Sequence, residues 1–186
     1  MTLVDESDEE IIEACKSMKG LPYDGEPVDQ LEHVLQCAAL ARAAGHDSGF
    51  VVAALLHDIA RAPAVAGMPF DRPASTTARR ARAGWSLALA PESPGWRSST
   101  SQPSANLVAT DPEYEARLSV VSRRTLIRQG GPMNEQELAQ FRSNPDWRLA
   151  LKLREVDDRG KVRGADVPGL EEYRDDIAAA AAQRRP

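Results

Sequence analysis

An apolar run, Phe50-Val-Val-Ala-Ala-Leu-Leu56, closes on His57-Asp58. A helix over 48–60 is apolar almost all round, so it belongs inside a core. An imidazole and a carboxylate at the end of such a helix are costly to bury unless something binds there. A divalent metal is the usual compensation, because it takes a neutral imidazole nitrogen and an ionised carboxylate together. His33 is the natural partner of the pair. The chain holds only three histidines, His33, His46 and His57.

At 186 residues the chain is long enough for one domain with a single core. Its net charge of −5, from 23 basic and 28 acidic residues, comes with no basic run. A nucleic-acid surface is therefore not expected, and a small soluble substrate fits better than a polyanion. Cys15 and Cys37 form no C-x-x-C pair and no secretory leader precedes them, which points to reduced thiols in a cytoplasm. No apolar stretch approaches membrane-spanning length.

Helical periodicity predicts an all-α fold. A first helix over 5–18 opens with acidic residues that favour the dipole and stops at Gly20. A loop with Pro22, Gly25 and Pro27 follows. A second helix over 29–44 carries Leu31, Val34, Leu35, Ala38 and Ala41 at helical spacing, with Gly45 as its C-cap. Residues 61–106 then hold six prolines, seven serines and six arginines but two acidic residues, with no sustained period. Order returns near Asp111. Further helices are expected over 112–129, 134–143, 147–156 and 170–183.

Each chemical candidate has a plain alternative. His33 lies one step off its helix's apolar stripe, where a histidine is more often a core or surface residue than a ligand. His57-Asp58 alone could be a helix-terminal pair bonded to backbone. Asp157-Asp158 closes the amphipathic helix 147–156 and is followed by Lys161. Acids at a helix C-terminus are disfavoured by the dipole, which argues for a function there. Two histidines and two aspartates on three helices make a sensible set for one octahedral Fe or Mn.

The arrangement His33…His57-Asp58…Asp157 resembles the HD-domain superfamily of metal-dependent helical proteins, mostly phosphohydrolases. Three further segments, Leu21-Pro-Tyr-Asp-Gly-Glu26 before Gln30-Leu-Glu-His33, Leu118-Ser-Val-Val-Ser-Arg-Arg-Thr-Leu-Ile-Arg-Gln-Gly-Gly-Pro-Met133 and Leu153-Arg-Glu-Val-Asp-Asp-Arg-Gly-Lys161, resemble its phosphonate-cleaving, mixed-valent di-iron oxygenase branch. That branch includes 2-amino-1-hydroxyethylphosphonate dioxygenase. The similarity covers 5–60 and 107–175 of what would be a single HD domain over 1–186.

The resemblance implies iron held by His33, His57, Asp58 and Asp157, with Asp58 bridging to a second iron. It implies that Tyr23 covers the open iron position, that Glu26 meets a substrate amine, and that Ser122, Thr125 and Arg154 grip the phosphonate. The chemistry agrees: Arg154 shares a helix face with Asp157, and a guanidinium suits a dianion. Arg154 has an equally simple alternative as an intrahelical partner of Asp157 or Asp158. Ser122 and Thr125 share a face at i,i+3 but could form an ordinary solvated surface.

The second iron needs two more histidines between 61 and about 105, and none is there. The branch also tends to read His-Asp-Ile-Gly-His where this chain has His57-Asp-Ile-Ala-Arg61. The pattern stops near Ala60 and resumes near Leu107. We infer a segment translated in a shifted frame between two compensating indels. Given GC-rich codons and read two nucleotides later, residues 72–78 become Ala-Gly-Val-His-His-Gly, and residues 96–105 become Ala-Glu-Leu-His-Val-Pro-Ala-Lys-Arg. Both strings resemble the missing histidine motifs. The alternative is a natural Ser/Pro/Arg-rich insertion.

The expected function is therefore oxidative cleavage of the C–P bond of a small hydroxyphosphonate by an iron-dependent dioxygenase, using O2 and impaired as written because at most one metal site is complete. The alternatives are an HD-type metal-dependent phosphohydrolase and an inactive metal-binding remnant.

Overall fold

The computed structural model describes residues 3–23, 25–66 and 102–183. The helices in chain order are α1 (Leu3–Lys16), α2 (Gln30–Ala43), α3 (Ser48–Leu56), α4 (Pro63–Ala66), α5 (Gln102–Thr110), α6 (Tyr114–Arg117), α7 (Val120–Arg128), α8 (Glu135–Ser143), α9 (Trp147–Arg159) and α10 (Arg174–Gln183). Short 3-10 turns cover Ile59–Arg61 and Leu170–Tyr173. The described residues form no strand, only an isolated bridge between Pro22 and Asp29. The fold is all-α, as the periodicity predicts. It divides into two compact units, residues 1–83 with 159–186, and residues 84–158.

In the first unit α3 packs against α2 and α10, as its apolar circumference requires. Phe50, Val51, Ala54, Leu55 and Leu56 of α3 are all buried. One polar knot ties the three helices together. Arg42 of α2 pairs with Asp176 of α10, stacks on Tyr173 at 4.2 Å, and donates to the Glu172 carbonyl at 2.9 Å. Ser48, at the start of α3, donates to the other oxygen of Asp176 at 2.7 Å.

The start of α2 positions the loop before it. Asp29 caps the helix by accepting from Glu32 N at 2.8 Å, while Glu32 accepts from Asp29 N at 2.9 Å. The second oxygen of Asp29 accepts from Gly20 N at 2.8 Å, so the end of the α1 turn and the start of α2 are held by one side chain. Gly45 (φ 74) ends α2 in the left-handed region, with His46 N bonded back to Ala41 O at 3.2 Å.

The second unit is built around Ala105, Tyr114, Leu118, Leu126, Met133, Phe141 and Ala150, with Leu107, Val108, Leu138, Trp147 and Leu151 packed on them. Three expectations are corrected here. The helix expected over 112–129 is two, because Leu118 turns extended (ψ 140) and Ser119 starts α7 afresh by accepting from Ser122 N at 3.0 Å. The helix expected over 147–156 continues to Arg159, so Asp157 and Asp158 lie within its last turn. Order returns before Asp111, since Gln102–Thr110 is already helical.

Of the irregular stretch 61–106, residues 67–101 lie outside the described residues. Its two ends are helical, in α4 and α5. Gln102, Ser104 and Asn106 of α5 are buried, and neither side-chain atom of Asn106 finds a hydrogen-bond partner among the described residues. Burying an amide in this way is a local conflict between sequence and fold.

Candidate metal centre

His33 leaves α2 fully buried, and His57 caps the end of α3. Their rings meet edge to face, with Nε2 to Nε2 at 3.1 Å. Each Nδ1 is 2.8 Å from a backbone carbonyl, Gly160 O for His33 and Ala54 O for His57. A carbonyl only accepts, so each Nδ1 must donate. In the neutral rings both Nε2 atoms then carry lone pairs, directed into the same small space. Either an extra proton or a bound cation resolves that repulsion. Donation from the outer nitrogen to a carbonyl is also how metal-binding histidines are held.

The carbonyl behind His33 is itself held in place. The Gln36 side chain donates to Val162 O and accepts from Val162 N, each at 2.9 Å, which fixes the backbone that follows Gly160. Asp58 leaves helical geometry (φ −105, ψ 12) and is buried. Its Oδ2 lies 3.9 Å from His57 Nε2, and its Oδ1 lies 3.6 Å from Arg61 Nε. Within the first unit the nearby donors are therefore the His33 and His57 imidazoles, with the Asp58 carboxylate beside His57. Imidazole nitrogens with a carboxylate nearby suit a divalent transition metal.

Cys37, one turn beyond His33, completes a group of three side chains whose ligand atoms lie within 4.8 Å of one another. Its sulfur is 3.8 Å from Nδ1 and 3.7 Å from Nε2 of His33. Near-equal distances place it off both in-plane lone-pair directions, in contact with the ring. We assign it to packing. His46 stacks on Phe50 at 4.2 Å and is not one of this group.

Tyr23 and Glu26 belong to the same unit. The Tyr23 ring stacks on His33 at 4.0 Å, with Lys161 Nζ 5.6 Å and the Arg61 guanidinium 5.8 Å from its centroid. Glu26 Oε1 is 4.0 Å from Lys161 Nζ, both side chains being largely buried. Spacing in the sequence placed Lys161 only as a neighbour of Asp157. Its pairing with Glu26 had no local signal.

The remaining candidates lie in the second unit. Ser122 and Thr125 both stand on α7, Ser122 half-buried with its hydroxyl accepting from Ser119 at 3.1 Å, and Thr125 exposed. Arg154 and Asp157 stand on α9, 2.8 Å apart. Arg154 also pairs with Asp158, and its Nε donates to the Tyr114 hydroxyl at 3.2 Å. Tyr114 in turn donates to Asp158. Burial alone would lower the Arg154 pKa, but Asp157 and Asp158 outweigh it and hold the pKa well above the usual value. Burial, joined by the Asp158 charge, pushes the Tyr114 phenol up despite the opposing Arg154 charge. Tyr114 carried no signal in the sequence, because a buried tyrosine in a helix reads as core.

No protein-family model matches the chain. Over 152 residues, 78% of the chain and 76% of the relative, it is 33% identical to the 1-hydroxy-2-(trimethylamino)ethylphosphonate dioxygenase (glycine-betaine-forming) of Leisingera caerulea. It is 31% identical over 168 residues to the hydroxymethylphosphonate dioxygenase of Gimesia maris, covering 85% of the chain and 80% of that protein. An uncharacterized protein of Acanthamoeba polyphaga mimivirus is 29% identical over 171 residues, 88% of the chain and 77% of that protein. These relatives place the all-α chain among oxygenases. The chain belongs to the phosphonate dioxygenase family.

Proposed function

We propose that this chain is an HD-domain oxygenase that cleaves the C–P bond of a small 1-hydroxyphosphonate with O2, through a non-haem iron held by His33, His57 and Asp58. The single observation that carries this is the pair of Nε2 atoms 3.1 Å apart, with both Nδ1 atoms 2.8 Å from carbonyls. Asp157 keeps the ligand role that the sequence motif implies. Iron, when bound, supplies the one-electron chemistry that O2 requires of an organic substrate.

The overall change balances without a further reductant. One C–H bond and the C–P bond of the substrate break, one oxygen atom goes to carbon and the other to phosphorus, and O2 takes up all four electrons. Hydroxymethylphosphonate would give formate and phosphate. Ser122, Thr125 and Arg154 bind the phosphonate. Tyr23, stacked on His33, shields the metal face, and Glu26 meets the substrate's amine where it has one, in exchange for Lys161.

As written, the chain is impaired. The family's second iron needs two histidines that the sequence lacks, so one metal per chain is expected with slow turnover. The buried amide of Asn106, without a hydrogen-bond partner among the described residues, supports the view that the segment ending there is not the one this fold evolved with. The test is an oxygen-electrode assay of the iron-loaded chain with hydroxymethylphosphonate. Slow phosphate release matching O2 consumed is expected. Phosphate release from a nucleotide or phosphate ester under anaerobic conditions would instead show a phosphohydrolase, and neither reaction would show a remnant.

A further inference from the structure

We propose that Tyr114 is a positioning residue for Arg154, fixing the guanidinium so that its uncommitted N–H groups present one orientation to a phosphonate. This rests on the reading that Arg154 binds that group. The phenol ring is part of the second unit's core, 5% exposed and packed with Ala105, Leu118 and Phe141. Only its hydroxyl reaches the charged cluster, donating to Asp158 and accepting from Arg154 Nε at 3.2 Å.

The partners of Arg154 are not equivalent. Asp157 and Asp158 are its i+3 and i+4 neighbours on α9, so they travel with the same helix and do little to fix it against anything else. Tyr114 belongs to α6, and it anchors the guanidinium to the rest of the unit. A guanidinium has five N–H groups. Contacts to Tyr114, Asp157 and Asp158 engage all three nitrogens but use only three of those groups, leaving two for a ligand. With the phenol oxygen gone, Nε–H would lose a buried acceptor and Asp158 a donor. Arg154 and Asp158 would then be free to move as a pair. The phenol also stays protonated as a donor, since burial pushes its pKa up.

The test uses the full iron-loaded chain under anaerobic conditions, with methylphosphonate as the probe, comparing wild type, Tyr114→Phe and Arg154→Lys. Tyr114→Phe keeps the ring and removes only the hydroxyl. Its Kd for methylphosphonate, measured where the variant is fully folded, is expected to rise about tenfold, beyond the modest fall in Tm that one lost buried hydrogen bond brings. The Arg154 Nε–H resonance is expected to be protected from solvent exchange in the wild type and to lose that protection in Tyr114→Phe. A tyrosine needed only for stability would lower the Tm and leave the affinity unchanged. Equal Kd values for wild type and Tyr114→Phe, with Arg154→Lys impaired, would overturn the role of Tyr114 alone. An unimpaired Arg154→Lys, or a wild type that does not bind the probe, would overturn the phosphonate reading of Arg154 and this proposal with it.

Discussion

The His33–His57 pair and the Arg154–Asp157–Asp158–Tyr114 cluster are both buried and both polar, yet they are assembled on opposite principles. In the first, like faces like: two imidazole Nε2 atoms stand 3.1 Å apart, each ring held by a carbonyl behind it. In the second, opposite charges close on each other, and a phenol completes the hydrogen bonding. In the first arrangement an extra proton or a bound cation relieves the contact. In the second the guanidinium is balanced by carboxylates of its own unit, and removing one member is costly. On the proposed reading, the difference separates a pair that can take a metal from a cluster that orients the Arg154 guanidinium.

Four changes would break or sharpen that contrast. Arg154→Ala strips the cation from two largely buried carboxylates and is expected to destabilise the chain by about 3 kcal/mol, read by chemical denaturation. His57→Ala removes one lone pair. Iron(II) or manganese(II) affinity is expected to fall more than about 100-fold, close to 3 kcal/mol, in a metal titration. If affinity survived that change, the histidine pair would be a structural contact and the contrast would collapse.

The third change lies outside both clusters and calibrates an ordinary ion pair. Burial raises the Asp176 carboxyl, but the hydrogen bonds from Arg42 and Ser48 outweigh it and leave its pKa below the usual 3.8. A depressed carboxylate contributes stability above its unfolded pKa and loses it as pH falls through the lower folded value. Asp176→Asn should therefore cost about 1 kcal/mol at neutral pH. That cost should fade below the folded pKa, as seen in urea midpoints across pH. The smallest effect is expected from Cys37→Ser. Because the sulfur is off both lone-pair directions, metal affinity should change by less than about threefold, whereas loss of a thiolate ligand would cost far more.

The sequence and the structure agree where chemistry depends on local pattern. The apolar circumference of 50–56 required a buried α3, and the same run brought His57 and Asp58 to the end of that helix. What fixes the histidines was not legible, because Gly160 O and Ala54 O are backbone atoms that any residue would supply. The Gln36–Val162 amide pair, which sets the loop after Gly160, joins residues far apart in the chain. The break at Leu118 was hidden because α6 and α7 share one continuous helical pattern, although Ser119 is a standard N-cap residue. The helix at 102–110 was missed for another reason. Its polar residues Gln102, Ser104 and Asn106 face inward, so no amphipathic period exists to be found.

Resequencing the gene across codons 55–110 and expressing the frame-restored chain would separate the fold's capacity from the printed sequence's. A chain regaining two histidines is expected to oxidise hydroxymethylphosphonate at least about tenfold faster than this one.

Anaerobic iron titration of the chain as it stands is the most direct measurement. A single iron per chain is expected, abolished by His33→Ala and by Asp58→Ala alike. Two irons per chain, or uptake unaffected by either substitution, would contradict a metal centre built on the His33–His57–Asp58 donor set.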